Sequence, residues 1–391
     1  MTALATFAPS ESVRRVEAGS LRSAQPASGA GLVSLAMGEP AFDTPPAIRL
    51  AAHAAIECGY THYAHPSGDP ELRDAIAAHL TGIGPTGFGA DGVLVTHGGT
   101  GGLAAAILAI VNPGDTVVLP DPTYSLYADL VHLAGGRCAR VPLQTDLHWD
   151  LTALEDALVG AKLFVFCNPS NPTGIVHRRD ELEALAETTA RTGTIVLSDE
   201  AYSELVYTDE PFTSALAVSD LAERTVYCQT FSKAYAMTGW RLGYLAGPAD
   251  IISAAGRVHS TIAGPLNSAG QRAALTAVVD GSTAIAEMRE EYWIRRDLMV
   301  EGLRRIDSLS LAVPDGAFYA FPRYDIPMPA VDVVAHLRAR GLAVRPGSEF
   351  GPAGEHHLRL SFAADRDSIT TGIERLHNGL AELTRAEETS A

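Results

Sequence analysis

Lysine is almost missing from this chain of 391 residues: of its 29 lysine and arginine residues, only Lys162 and Lys233 are lysines. Arginine keeps its proton in a protein and cannot act as a neutral nucleophile, whereas a desolvated lysine can. The chain has kept an amine at Lys233, in the segment Thr230-Phe231-Ser232-Lys233. That makes Lys233 a Schiff-base candidate, the alternative being a lysine that merely falls beside Ser232. Positive charge is short overall. The net charge is −17 with no basic cluster, which excludes a nucleic-acid-binding surface. Cysteine is sparse too: Cys58, Cys138, Cys167 and Cys228 are scattered without a CxxC pair, which predicts reduced thiols, no disulfide and no metal site. Long apolar runs are lacking. The longest, residues 103–111, falls far short of the ~20 residues that span a bilayer and reads as a buried helix. The opening MTALATFAPSESVRR has no positive region followed by an apolar core, so no secretory signal is predicted and the expectation is a soluble cytoplasmic protein.

What remains is ordinary globular material. Hydrophobic content of 47% with 19% charged residues suits a substantial core, and the length suits two domains or one large domain with a smaller one. Residues 1–28, rich in Ser, Ala, Pro and Gly, read as a flexible arm. From Pro45 strand-like apolar runs recur at 93–96, 116–120, 137–141, 163–167, 194–199, 225–230 and 242–246. Helical patterns lie between several of them, at 101–110 and at 180–191 with Gly193 as a stop. This alternation predicts an α/β fold with a mostly parallel sheet of seven strands covered by helices. Beyond about residue 280 the pattern changes to a long charged helix (284–305), the segment 318–321, a helix at 331–340, short strands at 343–345 and 358–362 and a final helix. That reads as a smaller α+β domain.

Ligands of open α/β sheets sit outside the carboxyl ends of the strands. Four polar clusters fall there: Gly98-Gly99-Thr100-Gly101-Gly102, Asn168 to Gly174, Ser198-Asp199-Glu200-Ala201-Tyr202 and Thr230 to Lys233. Singly each has a plain alternative. The glycines are a tight turn or a phosphate cradle, and do not match dinucleotide or P-loop spacing. Asn171-Pro172-Thr173-Gly174 is a turn or a site loop. Asp199 is a cap or a catalytic carboxylate.

In this order, with Arg241 eight residues after Lys233, the set resembles the class I aminotransferases, the aspartate aminotransferase family of fold-type I pyridoxal-phosphate enzymes. The likeness runs from Gly38-Glu39-Pro40 to Arg359-Leu360-Ser361-Phe362. It implies a large cofactor-binding domain over 45–280 and a small domain made of 29–44 and 281–391. It further implies that Lys233 bonds to the aldehyde of pyridoxal 5'-phosphate and shuttles a proton. Asp199 pairs with the pyridine nitrogen, keeping it protonated. Asn171 and Tyr202 bond the ring oxygen, and Tyr124 stacks on the ring. Gly99, Thr100, Thr230, Ser232 and Arg241 hold the phosphate, Arg241 as a fork. Tyr63 reaches the phosphate of the other subunit, so a homodimer is implied. Arg359 takes the substrate carboxylate, beside Gly38 and Asn171. The reaction implied is ping-pong transfer of an amino group between an L-amino acid and a 2-oxo acid through pyridoxamine phosphate.

The sequence departs from aspartate-specific members, which place a cation where the side-chain carboxylate lands. Thr100 occupies one such position and His259 aligns with the other. Losing a charge-assisted hydrogen bond costs about 1.5–3 kcal/mol, which predicts an enzyme that is not aspartate-specific. His259 either receives a polar side chain or is a helix residue away from the site. Arg345 either recognises an acidic group or braces the domains. Lyases, cyclases or synthases of the same fold are the rival reading. A regulator with an added DNA-binding module is disfavoured by the few residues ahead of Leu32 and by the acidic charge.

Overall fold

The computed structural model describes residues 7–21, 31–84 and 88–388. Seven strands form the central sheet: β1 (Val93–His97), β2 (Thr116–Asp121), β3 (Arg137–Pro142), β4 (Leu163–Cys167), β5 (Ile195–Asp199), β6 (Thr225–Thr230) and β7 (Leu242–Ala246). Their spatial order is β1-β7-β6-β5-β4-β2-β3. Only β7 runs against its neighbours, pairing antiparallel with both β1 and β6; the other pairs are parallel. Strands β4, β6 and β7 are buried at every residue, as a sheet covered on both faces requires. That is why they read as unbroken apolar runs, and all seven lie within a residue of where those runs place them.

The covering helices follow the same economy of signals. Arg179–Thr192 opens with a capping-box glutamate, Glu181, and stops at Gly193 in the left-handed conformation. Gly98–Ile110 begins three residues earlier than the pattern predicts, directly on the glycine cluster. Most of its apolar residues are buried because it lies between β1, β7 and the helix Ala249–Ala263. Part of the expected arm is ordered: Glu11–Gly19 is a helix packed on Leu126–Ala134, with Arg15 Nε donating to the His132 carbonyl at 3.1 Å. Residues 1–6 and 22–28 of that arm lie outside the described residues.

The C-terminal part is short-stranded. The helix Ser282–Arg304 packs on the last helix, Arg366–Glu388. Tyr319–Ala320 and Arg345–Pro346 flank Leu358–Ser361 antiparallel. The strand expected at 343–345 is divided: Leu342–Ala343 turns away to pair in parallel with Val33–Ser34. This pairing ties the chain entering the fold to its C-terminal part. The segment 36–38 is thereby held across the carboxyl edge of the large sheet. Among the described residues no helix is long and apolar enough to cross a membrane.

Candidate active site

The carboxyl ends of β1, β4, β5 and β6 converge on one cleft of ≈ 440 Å³. Thr230 closes β6 and caps a single helical turn, Phe231–Ala234, by accepting from Ser232 N at 3.1 Å. That turn aims Lys233 into the cleft, where its Nζ donates to the Gly38 carbonyl at 2.6 Å. Burial lowers the amine to about 8, with Arg359 and Arg241 adding to the effect against Glu39 and Asp199. Far more of this lysine is neutral near pH 8 than of an ordinary one.

Asp199 ends β5 and is buried. Its Oδ2 accepts from Tyr127 Oη at 2.7 Å and its Oδ1 from Ala201 N at 3.2 Å. Burial raises the carboxyl to about 6, while both hydrogen bonds and Lys233 pull the other way. Tyr127 is wholly buried on the helix Leu126–Ala134 and reads in sequence as one more core aromatic. Nothing in its neighbourhood along the chain announces a partner 72 positions later.

At the other end of the cleft the glycine cluster forms the first turn of Gly98–Ile110, where amides have no helical partner. Gly98 has φ +68°, and a Cβ there would lie 2.6 Å from Arg241 Nη2. The glycine therefore lets the guanidinium cross the turn. Arg241 itself sits at φ 56°, an uncommon conformation for a side-chain-bearing residue. Its Nη1 donates to the Thr238 carbonyl at 2.8 Å. Gly99, Thr100, Thr230 and Ser232 line the same end.

Arg359 also lines the cleft, buried at 7% exposure. It is boxed by the rings of Tyr319 at 4.4 Å and Phe350 at 4.8 Å. Its Nη1 donates to Asn171 Oδ1 at 3.0 Å and its Nη2 to the Ala36 carbonyl at 2.7 Å, while Nε is buried without a partner. Tyr202 Oη lies 3.0 Å from Tyr319 Oη, and Tyr319 also presses on Gly38, where a Cβ would overlap that hydroxyl. Tyr319 is a second residue that sequence reasoning missed. It sits in a short strand with no motif around it.

A sequence model of the aminotransferase class I and II family matches residues 30–376. The chain belongs to that family. An aspartate/prephenate aminotransferase of Cereibacter sphaeroides is 39% identical over 375 residues, 92% of this chain and 93% of its own. An aspartate aminotransferase of Streptomyces avermitilis is 37% identical over 374 residues, covering 91% of each chain. Among solved structures, the aromatic aminotransferase from Pyrococcus horikoshii OT3 superposes with a TM-score of 0.88 at 33% identity, over 95% of this chain and 99% of that one. The Thermus thermophilus aspartate aminotransferase with maleate gives 0.84 at 32% identity, over 95% and 97%. These relatives carry different substrate names, so membership makes this chain an aminotransferase and leaves its donor open.

Two expected site residues stand elsewhere in the aminotransferase fold. Tyr63 is 93% exposed and lines a separate hollow of ≈ 1320 Å³ between residues 39–44, 60–63, 238–240 and 265–270. Within one protomer it does not reach the cleft. His259 is buried on Ala249–Ala263, behind the glycine turn, and its Nε2 accepts from His97 N at 3.2 Å. Burial, reinforced by His97, lowers its imidazole to about 4, so it is neutral at physiological pH. It does not line the cleft of its own protomer, because the aligned position lies on the inward face of the helix. The remaining expected residues (Gly38, Gly99, Thr100, Tyr124, Asn171, Asp199, Tyr202, Thr230, Ser232, Lys233, Arg241, Arg345 and Arg359) all line the cleft.

Enzymes of this family use pyridoxal phosphate, and the donor set fits that group. An amine with a lowered pKa faces a buried carboxylate, and a helix N-terminus with an arginine threaded through a glycine turn lies at the far end.

Proposed function

We propose that this aminotransferase binds pyridoxal 5'-phosphate in the 440 Å³ cleft and moves an amino group between an L-amino acid and a 2-oxo acid in two half-reactions. The observation that carries this is the position of Lys233, an amine lowered to about 8, on the same rim as Asp199 and Arg359. When bound, the cofactor supplies the electron sink for bond breaking at the substrate Cα. Lys233 anchors it and, in its neutral form, takes and returns the Cα proton. Asp199, held by Tyr127 and Ala201, fixes the charge opposite the ring nitrogen. Asn171 and Tyr202 orient the ring, and Tyr124 covers its face. Gly99, Thr100, Thr230, Ser232 and Arg241 hold the phosphate through amides, hydroxyls and a fork of N–H groups. Arg359 receives the α-carboxylate beside Gly38 and Asn171.

The exposed Tyr63 supports a homodimer in which each copy completes the phosphate site of the other. Four free cysteines support a reducing compartment such as the cytoplasm. With Thr100 after the glycines and His259 turned inward, neither position offers a cation to a side-chain carboxylate. This favours a donor other than aspartate.

The test is a titration of the cofactor-loaded protein with single amino acids in the absence of oxo acid. Stoichiometric conversion of the cofactor to its amine form, with release of the matching oxo acid, is the expected result. Steady ammonia release without that conversion would instead assign a lyase.

A further inference from the structure

Two arginines line the substrate end of the cleft, and they are treated differently. Arg345 and Arg359 are direct partners in an antiparallel strand pair, so both side chains stand on one face. Like charges opposed in this way destabilise a sheet unless something compensates them. Arg359 has only neutral hydrogen-bond partners among those described above, Asn171 and the Ala36 carbonyl. Arg345 has a carboxylate: its Nη2 lies 2.9 Å from Oε1 of Glu349, one turn further on in Gly347–Phe350. Glu349 is 4% exposed and lines the cleft with Arg345. The other cations of the lining, Lys233 and Arg241, belong to the cofactor end.

We infer that Glu349 sets donor specificity by closing Arg345 to substrate, so that the cleft accepts amino acids whose only fixed negative charge is the α-carboxylate. The inference rests on the aminotransferase reading above. The physical reason is that a second substrate carboxylate at Arg345 would either displace Glu349 or share the guanidinium with it, side by side. Either arrangement sets a second anion against a buried carboxylate and weakens a buried ion pair, which is strongly unfavourable. A neutral side chain leaves the pair intact and meets apolar lining such as Met37 and Phe350 instead. The one open guanidinium, Arg359, is then reserved for the α-carboxylate, and the substrate end as a whole carries a single uncompensated positive charge. Glu349→Gln keeps the shape and removes the charge, releasing Arg345 to a dicarboxylate.

The experiment uses cofactor-loaded wild type, Glu349→Gln and Glu349→Ala, with folding checked by the bound-cofactor absorption. Binding of the inert dicarboxylate maleate and of the monocarboxylate propionate is measured by calorimetry, alongside kcat/KM for aspartate, glutamate, alanine and phenylalanine. Both variants are expected to raise the maleate-to-propionate affinity ratio at least about tenfold, the scale of one charge-assisted hydrogen bond. The preference for aspartate and glutamate over alanine and phenylalanine should rise in parallel. Adding Arg345→Leu to Glu349→Gln should erase the gain. Unchanged or lowered ratios in both variants would overturn the inference. If no amino acid converts the wild-type cofactor, the aminotransferase reading fails, while the maleate-to-propionate ratio still decides the role of Glu349.

Discussion

The cleft and the cluster around Glu181 are both built from buried titratable groups, yet they are opposites. Glu181 opens the helix Arg179–Thr192, and all its accepting capacity is taken. Oε1 receives His177 Nδ1 at 3.1 Å and Trp149 N at 3.3 Å; Oε2 receives His148 Nδ1 at 2.9 Å and Arg178 N at 2.8 Å. Burial works against its charge, but the bonds from the two histidines prevail and hold it well below the usual carboxylate range. Among the described residues this is the one group of three side chains with metal-ligand atoms within 4.8 Å of one another. Its carboxylate is already closed on its own chain. In the cleft, by contrast, Arg359 keeps a buried Nε without a partner, and burial raises Asp199 to about 6. A polar cluster that satisfies itself is scaffolding. One whose needs exceed what the chain supplies is waiting for a ligand.

That contrast can be broken by substitution. Lys233→Ala should lower multiple-turnover activity by at least about 10³-fold, since it removes both the anchor and the proton carrier. Circular dichroism and the thermal midpoint should show an intact fold, and measurable multiple turnover would remove Lys233 from its role. Tyr127→Phe comes next. It deletes a hydrogen bond to a charged group worth about 1.5–3 kcal/mol, so kcat should fall by about ten- to a hundredfold. Because that bond lowers the Asp199 pKa, its loss should also move the acidic limb of the kcat/KM profile to higher pH. A fall in kcat without that movement would make Tyr127 a packing residue.

On the scaffold side, Glu181→Gln should destabilise the protein by about 2 kcal/mol at pH 7 and leave kcat/KM within about twofold. A folded pKa below the unfolded one means the stabilisation is complete above the unfolded value and is lost as pH falls through the folded value. Denaturant curves should therefore show the gap between wild type and variant narrowing below about pH 4. The smallest effect belongs to His259→Leu. Losing its bond to His97 N behind the glycine turn should weaken cofactor affinity by about three- to tenfold. The donor profile should not change; an altered amino-acid preference would restore His259 to the substrate site.

The sheet was readable from sequence because each strand is a short apolar run with a turn signal at its end, and burial on both faces leaves no competing pattern. The cleft was readable because its residues cluster at strand ends, where polar side chains after apolar runs stand out. Tyr127 and Tyr319 were not, since each is an aromatic among apolar neighbours and acts through a hydroxyl directed across the fold. That His259 lies outside the cleft lining was not readable either, because alignment gives a position on a helix but not the face it presents. The start of Gly98–Ile110 was set late because glycine is a poor helix former; here the helix opens on glycines so that Arg241 can pass. Glu349 escaped notice because its meaning depends on Arg345 four residues earlier and on the strand pairing that puts Arg345 opposite Arg359.

The near-absence of lysine has a practical consequence. The two side-chain amines differ completely in setting: Lys162 is exposed ahead of β4, whereas Lys233 is enclosed and lowered to about 8. A bulky amine-directed fluorophore will attach at the first and be shut out from the second. In cofactor-free protein a small carbonyl reagent near pH 8 will prefer the second, whose free-base fraction is far larger. One chain thus offers two chemically addressable sites without any engineered cysteine, a reporter on the outer surface and a probe in the cleft.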